Sequence, residues 1–385
     1  MRFGTRTYLD WASAAPVSAR AGRTFRKAIA HYGNPSAPHT EGREARALVE
    51  EARTRIARVM EVKADDVIFT SGATEANALA IEGAVRGSGK SLSDIHVLYL
   101  PTAHASSVET IAALAAEGLS AEPLQLAEGA IDLVALAAQL RPETLLITID
   151  AVCGETGTRY DTRAVRRALS AIHRNDVLIH ADISQLPLVE SIERARLGAD
   201  LITLDAQKVG GVRGVGALIA PRRITLTPIV HGGGQERGLR SGTEPAALIA
   251  AFAEALSECA ATHAVFSKRA GEFRKALIES VERISDVVVN EGKSQTPHIL
   301  NLSLLGRDTD YLVALLDEAG FAVSTKSSCE TDATGSRVVM HMTGDAERAA
   351  STLRISMGPT TTRRDINSFM KALHTAVAFL DSHAR

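Results

Sequence analysis

The chain has 385 residues, more than a single hydrophobic core usually organises, so two domains are expected. Its 43 basic and 45 acidic residues leave a net charge of −2, which gives no electrostatic case for a nucleic-acid or anionic-membrane partner. No apolar run approaches the roughly 18 residues that cross a bilayer, and the opening MRFGTRTYLDW lacks the apolar core of a signal peptide.

Taken in chain order, short apolar runs alternate with helical patterns. Residues 67–70 read as a strand followed by a helix over 75–85, and 97–100 as a strand followed by a helix over about 106–117. A third unit pairs a strand at 145–149 with a helix at about 161–172. Strands are also expected at 177–181, 201–204 and 215–219, then a long helix from 245 to about 280. After that, short strands at 299–303, 322–324 and 353–356 lie among helices. The fold class is therefore α/β, a mostly parallel sheet covered by helices on both faces, with a smaller α+β domain towards the C-terminus. Residues 15–255 are assigned to a large domain. Residues 1–14 and 256–385 go to a small one, with the boundary running through helix rather than through a flexible linker.

In such a sheet ligands gather beyond the carboxyl ends of the strands. There the chain places SGATEAN, PTAHAS, DAVCGETG, HADISQ and DAQK, so His104, Asp182, Gln185 and Lys208 can converge on one crevice. Lys208 stands out: it follows an apolar strand and precedes four glycines, and a lysine buried there either pairs with an acid or does chemistry. Ser71, Gly72, Ala73 and Thr74 lie between a strand and a helix, where they suit either a phosphate or a simple helix cap. Singly, Asp182 reads as a cap or ion-pair partner, His104 as a packed histidine and Lys208 as a snorkelling surface residue. Together a phosphate loop, an aspartate and a lysine are what pyridoxal phosphate needs: a Schiff-base amine and an acid for the pyridinium nitrogen.

The order of these motifs resembles the cysteine desulfurases of the class V aminotransferase group, which have the fold-type-I pyridoxal phosphate architecture. The resemblance runs nearly end to end, through YLDWASAAP (8–16), GNPS (33–36), FTSGATEAN (69–77), HGGGQERGLRSGT (231–243) and LRISMG (353–358). It implies that Lys208 holds the cofactor as a Schiff base and acts as base at the substrate Cα. It further implies that His104 stacks on the ring and assists proton transfer, that Asp182 keeps the ring nitrogen protonated, and that Gln185 bonds the phenolic oxygen. Gly72, Ala73 and Thr74 would cradle the phosphate, with Thr243 reaching in from the second subunit of a homodimer. Asn34 and Arg354 would grip the substrate carboxylate.

The chain has three cysteines, Cys153, Cys259 and Cys329, far apart and without a CxxC pair. That argues against a disulfide framework or a structural zinc site, and for a reducing, cytoplasmic compartment. Cys329, in a polar loop-like stretch, matches the family's sulfur-accepting position and would carry a persulfide, whereas Cys153 and Cys259 read as packed thiols. The implied reaction takes L-cysteine to L-alanine and hands the sulfur to an acceptor protein, for iron–sulfur cluster assembly or for thiolation of tRNA or a cofactor. Three positions depart from the pattern. Gly154 stands for an asparagine, and Asp205 and Gln207 stand for the serine and histidine that precede the lysine and donate to the phosphate. Gln207 can still donate. An ionised Asp205 would repel a phosphate unless it turns away or pairs with a cation such as an arginine. Rival expectations are a selenocysteine lyase or another class V aminotransferase, and a non-catalytic partner protein that has lost its cofactor.

Overall fold

The computed structural model describes residues 6–325 and 335–383. Seven strands form the central sheet: β1 (Val67–Thr70), β2 (His96–Tyr99), β3 (Ser120–Pro123), β4 (Thr144–Asp150), β5 (Leu178–Asp182), β6 (Leu201–Asp205) and β7 (Gly216–Ile219). Their order is β1-β7-β6-β5-β4-β2-β3. Only β7 runs antiparallel to its neighbours in this sheet; the other pairings are parallel. β1, β6 and β7 are buried along their whole length, which is why they read as unbroken apolar runs rather than alternating ones. β3 was not foreseen: it is four residues long, polar, partly exposed and ends in Pro123, a residue that a sheet tolerates at its edge.

Helices α1 (Ala19–Ala28), α2 (Thr40–Met60), α3 (Ala73–Gly87) and α4 (Ala105–Ala116) come first, the last two each following a strand. α2 was missed in the sequence, since arginines and glutamates break up its apolar stripe; the buried face is Ala45, Val49, Ala52, Ile56 and Met60. The foreseen long helix is α5 (Ala246–Val281), 36 residues with no break. Its first part, including Ile249, Phe252 and Leu256, packs into the core around the central sheet. Its last turns, with Phe273, Leu277 and Val281, enter a second core. α5 is long and apolar enough to cross a membrane by length and composition, and 44% of its most apolar stretch is buried inside the protein.

The second core lies under a three-stranded antiparallel sheet of β8 (Val287–Val289), β9 (Ile299–Leu304) and β10 (Thr352–Ser356). Leu9, near the N-terminus, joins it, and Thr7–Tyr8 pairs with Phe321–Ala322. The expected strand at 322–324 is therefore only two residues, one position earlier, with Ser324 making a lone bridge to Arg354. β8 went unseen because its three residues are only half-buried and short.

Candidate active site

β2, β4, β5 and β6 all end on one side of the sheet, and a cavity of about 200 Å³ opens there. Its walls include His104, Asp182, Gln185, Lys208 and Arg354.

Asp182 ends β5 and is buried. Asn77, from α3, donates from Nδ2 to its Oδ2 at 2.8 Å, and the Ser184 N–H donates to Oδ1 at 2.9 Å. Its register partner on β4 is Asp150, so two carboxyls stand side by side at the sheet's end. Burial, then the charge of Asp182, pushes Asp150 well above the ordinary carboxylate range. Two buried carboxyls this close disfavour ionising together. Its Oδ2 accepts from the His104 N–H at 2.8 Å.

His104 is the N-cap of α4, and its Nδ1 accepts from the Ser106 N–H at 3.1 Å. Burial lowers the imidazole pKa. The ring is thus neutral, and with Nδ1 accepting, its proton sits on Nε2. Lys208 closes the short turn Ala206–Lys208 after β6. Its Nζ donates to the carbonyls of Ala12 at 2.8 Å and Ser13 at 2.7 Å. Gln185 Nε2 shares the Ala12 carbonyl, also at 2.8 Å. Arg354 reaches the same place from β10 in the other core: one NH2 group donates to Asp10 Oδ1 at 2.9 Å and to Ser13 Oγ, the other to the Gly154 carbonyl at 2.9 Å. The segment 10–13 is therefore the seam at which the two cores meet the cavity.

The aminotransferase class-V family model matches residues 7–369. The chain belongs to that family. A cysteine desulfurase IscS of Dechloromonas aromatica is 32% identical over 97% of this chain and 92% of its own length. A solved NifS-like protein superimposes with a TM-score of 0.90 at 26% identity, covering 98% of this chain and all of the other. A structure described as SspA in complex with cysteine gives a TM-score of 0.78 at 27% identity, over 92% of this chain and 100% of that one.

The positions at which this class V chain departs from its family have a local logic. A Cβ at Gly154 would stand 3.2 Å from Gln185 Nε2, so any side chain there crowds Gln185. Among the described residues no arginine pairs with Asp205, and the cation beside it is Lys208. Asp205 Oδ1 accepts the Gln207 N–H at 3.0 Å and its Oδ2 the Gln207 Nε2 at 3.1 Å. The start of α3 is close by: Asp205 Oδ2 lies 4.0 Å from where a Gly72 Cβ would stand. Burial raises the Asp205 pKa. Ala73 and Thr74 line the cavity beside it, and Gly72 is the N-cap of α3 with φ +154°. β7 passes so close that a Cβ on Gly216 would lie 2.7 Å from the Gly72 carbonyl carbon.

Three expected residues, Gly72, Asn34 and Thr243, do not line this chain's cavity. Asn34 is exposed, its Oδ1 accepting the Ser36 N–H at 2.9 Å, and Thr243 is exposed on the 231–243 stretch. Cys329 lies outside the described residues. Cys153 lines the cavity but is buried, with its thiol pushed up by burial. Cys259 is packed in α5, its Sγ donating to the Val209 carbonyl at 3.5 Å, and burial pushes it to about 12.

Asn77, Asp150, Ser13 and Arg337 went unremarked as site residues. Arg337 begins helix α6 (Arg337–Thr343), lines the cavity and donates to the Ala103 carbonyl at 2.7 Å and to that of Pro101. Asp150 had a usable signal, as the first polar residue after an apolar strand, the same mark that picked out Asp182. Arg337 had none, since its contacts are to residues more than 230 positions away.

Proposed function

We propose that this chain is a pyridoxal phosphate-dependent cysteine desulfurase, which takes L-cysteine to L-alanine and leaves the sulfur as a persulfide on Cys329. The observation that carries the reading is the meeting of Lys208, Asp182, His104 and Arg354 on one cavity in a chain of this family. The relatives named as cysteine desulfurases, at about 30% identity over nearly the whole chain, support it.

The residues fit the cofactor's ring. Asp182 is a buried carboxylate fixed by two donors, suited to a ring N–H, and a lysine amine stands in the same cavity. When bound, pyridoxal phosphate supplies an electron sink for charge left at the substrate Cα. The chain's own groups do the rest. Lys208 would anchor the cofactor and then move the Cα proton, with the Ala12 and Ser13 carbonyls holding its amine in reach. His104, neutral and protonated on Nε2, would face the ring and relay protons. Gln185 would bond the ring oxygen, and Thr74, Ala73 and Gly72 would face the phosphate, with Gln207 and Asp205 beside them. Arg354 would take the substrate carboxylate in its guanidinium fork, and Asn34 would assist. The Cys329 thiolate would attack the substrate sulfur; the carbon–sulfur bond breaks, a sulfur–sulfur bond forms, and the carbon gains a proton to give alanine.

Further parts of the reading are a homodimer in which Thr243 of a second copy completes the phosphate end, and a soluble, cytoplasmic enzyme that passes sulfur to an acceptor protein. Residues 15–255 would carry the cofactor, and 1–14 with 256–385 would carry Arg354 and Cys329.

The test is single-turnover alanine formation. Cofactor-loaded protein is mixed with L-cysteine without reductant. About one alanine per subunit, abolished in Cys329→Ala, is expected. No alanine from protein with Lys208-dependent visible absorbance would sink the reading.

A further inference from the structure

The strand-end carboxylate of Asp205 lies where the cofactor's phosphate would be received. Helix α3 is 15 residues long and its N-cap, Gly72, makes no side-chain cap, so its first N–H groups need an acceptor from elsewhere. Asp205 stands beside them at the end of β6: its Oδ2 lies 4.0 Å from where a Gly72 Cβ would stand, and the Ala73 N–H acts to lower its pKa. The same carboxylate takes the backbone N–H and the side-chain amide of Gln207. Two donors of Gln207, beside the positive end of a helix whose Ala73 and Thr74 open onto the cavity, are thus turned onto a carboxylate that belongs to the chain.

We propose that Asp205 is a built-in stand-in for the cofactor phosphate and the residue that sets how strongly this enzyme prefers phosphorylated pyridoxal. The proposal rests on the pyridoxal phosphate reading above. A phosphate entering this cup must displace or crowd a carboxylate already holding the donors, and two anions at contact distance repel in a desolvated site. The ring end of the cavity has no such conflict, since Asp182 and His104 lie at other strand ends and Lys208, which follows Asp205 at the end of β6, brings a cation. The phosphate therefore adds little binding in the wild type, and pyridoxal, which has the same ring and aldehyde without the phosphate, binds nearly as well.

Cofactor-stripped protein is titrated separately with pyridoxal phosphate and with pyridoxal, reading the Lys208-dependent visible absorbance, and with inorganic phosphate by calorimetry. Wild type, Asp205→Ser, Asp205→Asn and Lys208→Ala are compared. In the wild type the two aldehydes should bind within about tenfold of each other. Asp205→Ser should tighten pyridoxal phosphate by about 100-fold and leave pyridoxal within about twofold, because only one ligand carries the anion. Asp205→Asn, which keeps the shape and an acceptor for Gln207, should move the same way and guards against a folding defect in the serine variant. Inorganic phosphate should bind the two variants and not the wild type. Equal affinity of wild type and both variants for pyridoxal phosphate overturns the proposal, as does an equal change for both aldehydes, which would mean a structural role only. If neither aldehyde gives Lys208-dependent absorbance in any variant, the cofactor reading itself falls, and this proposal with it.

Discussion

Glu236→Ala gives a sharp test of what holds the strand beneath the phosphate-facing loop. Glu236 sits in the 231–243 stretch with its side chain 2% exposed, gripping Arg53 of α2. The grip is bidentate, at 2.6 and 2.8 Å, and Oε2 also accepts the Phe69 N–H of β1 at 2.7 Å. Arg53 donates in turn to the Val67 carbonyl at 2.6 Å and lies 4.8 Å over the Phe69 ring. Truncating Glu236 leaves the Phe69 amide without its acceptor and a mostly buried Arg53 with only the exposed Glu50 and the Val67 carbonyl, which costs about 3–5 kcal/mol. Unfolding entropy of roughly 2.1 cal/mol/K per residue gives about 0.8 kcal/mol/K for a chain of this length, so the thermal midpoint should fall by about 5 °C. Arg53→Met combined with Glu236→Met should recover most of that, because it removes both charges at once. Differential scanning calorimetry on cofactor-free protein reads the effect without any contribution from ligand. A fall of less than about 1 °C in Glu236→Ala would refute the idea that the pair must be satisfied together.

Other perturbations have equally definite outcomes. Asp150 holds its proton in the folded chain at pH values where the unfolded chain has released it, so the native state binds more protons and stability falls as pH rises from about 4 towards the folded pKa. Asp150→Asn removes that slope: thermal midpoints measured across pH should show the variant gaining on wild type up to that pKa and then running parallel. Arg354→Lys cannot reproduce the fork that reaches both Asp10 and the Gly154 carbonyl. It should raise KM for L-cysteine by about tenfold or more while leaving cofactor absorbance intact, and a KM unchanged from wild type would contradict the assigned role. Gly216→Ala drives a Cβ into Gly72 and the Leu204 carbonyl, all backbone that cannot swing aside. Denaturant titration should show a loss of about 1–3 kcal/mol, together with weaker pyridoxal phosphate retention.

The central sheet was legible because its strands are buried on both faces and so announce themselves as apolar runs. Strands 201–204 and 215–219 were found to within a residue. What stayed hidden was whatever lacks that mark, namely the polar edge strand Ser120–Pro123 and the arginine-rich helix Thr40–Met60, whose buried face mixes alanines with larger apolar residues and a buried arginine. The strand-end rule brought out His104, Asp182, Gln185 and Lys208, which do line one cavity. It could not tell where the Asp205 carboxylate points, because that depends on a helix start more than 130 positions earlier in the chain. Nor could it supply Asn77, whose role exists only once α3 lies across the end of β5.

Helix α5 links the two cores without a joint. At about 1.5 Å per residue its 36 residues make a strut of roughly 54 Å, anchored by Phe252 and Leu256 at one end and by Phe273 and Leu277 at the other. Lys208 belongs to one end's core and Arg354 to the other's, so the gap between amine and guanidinium is a gauge cut when the chain folds. Parting the two would mean bending a packed helix rather than turning a hinge. On the proposed reading, in which Lys208 faces the α-amino centre and Arg354 the carboxylate, that fixed gap would select amino acids by the length between those two groups, and one with an added methylene there would be a poorer substrate.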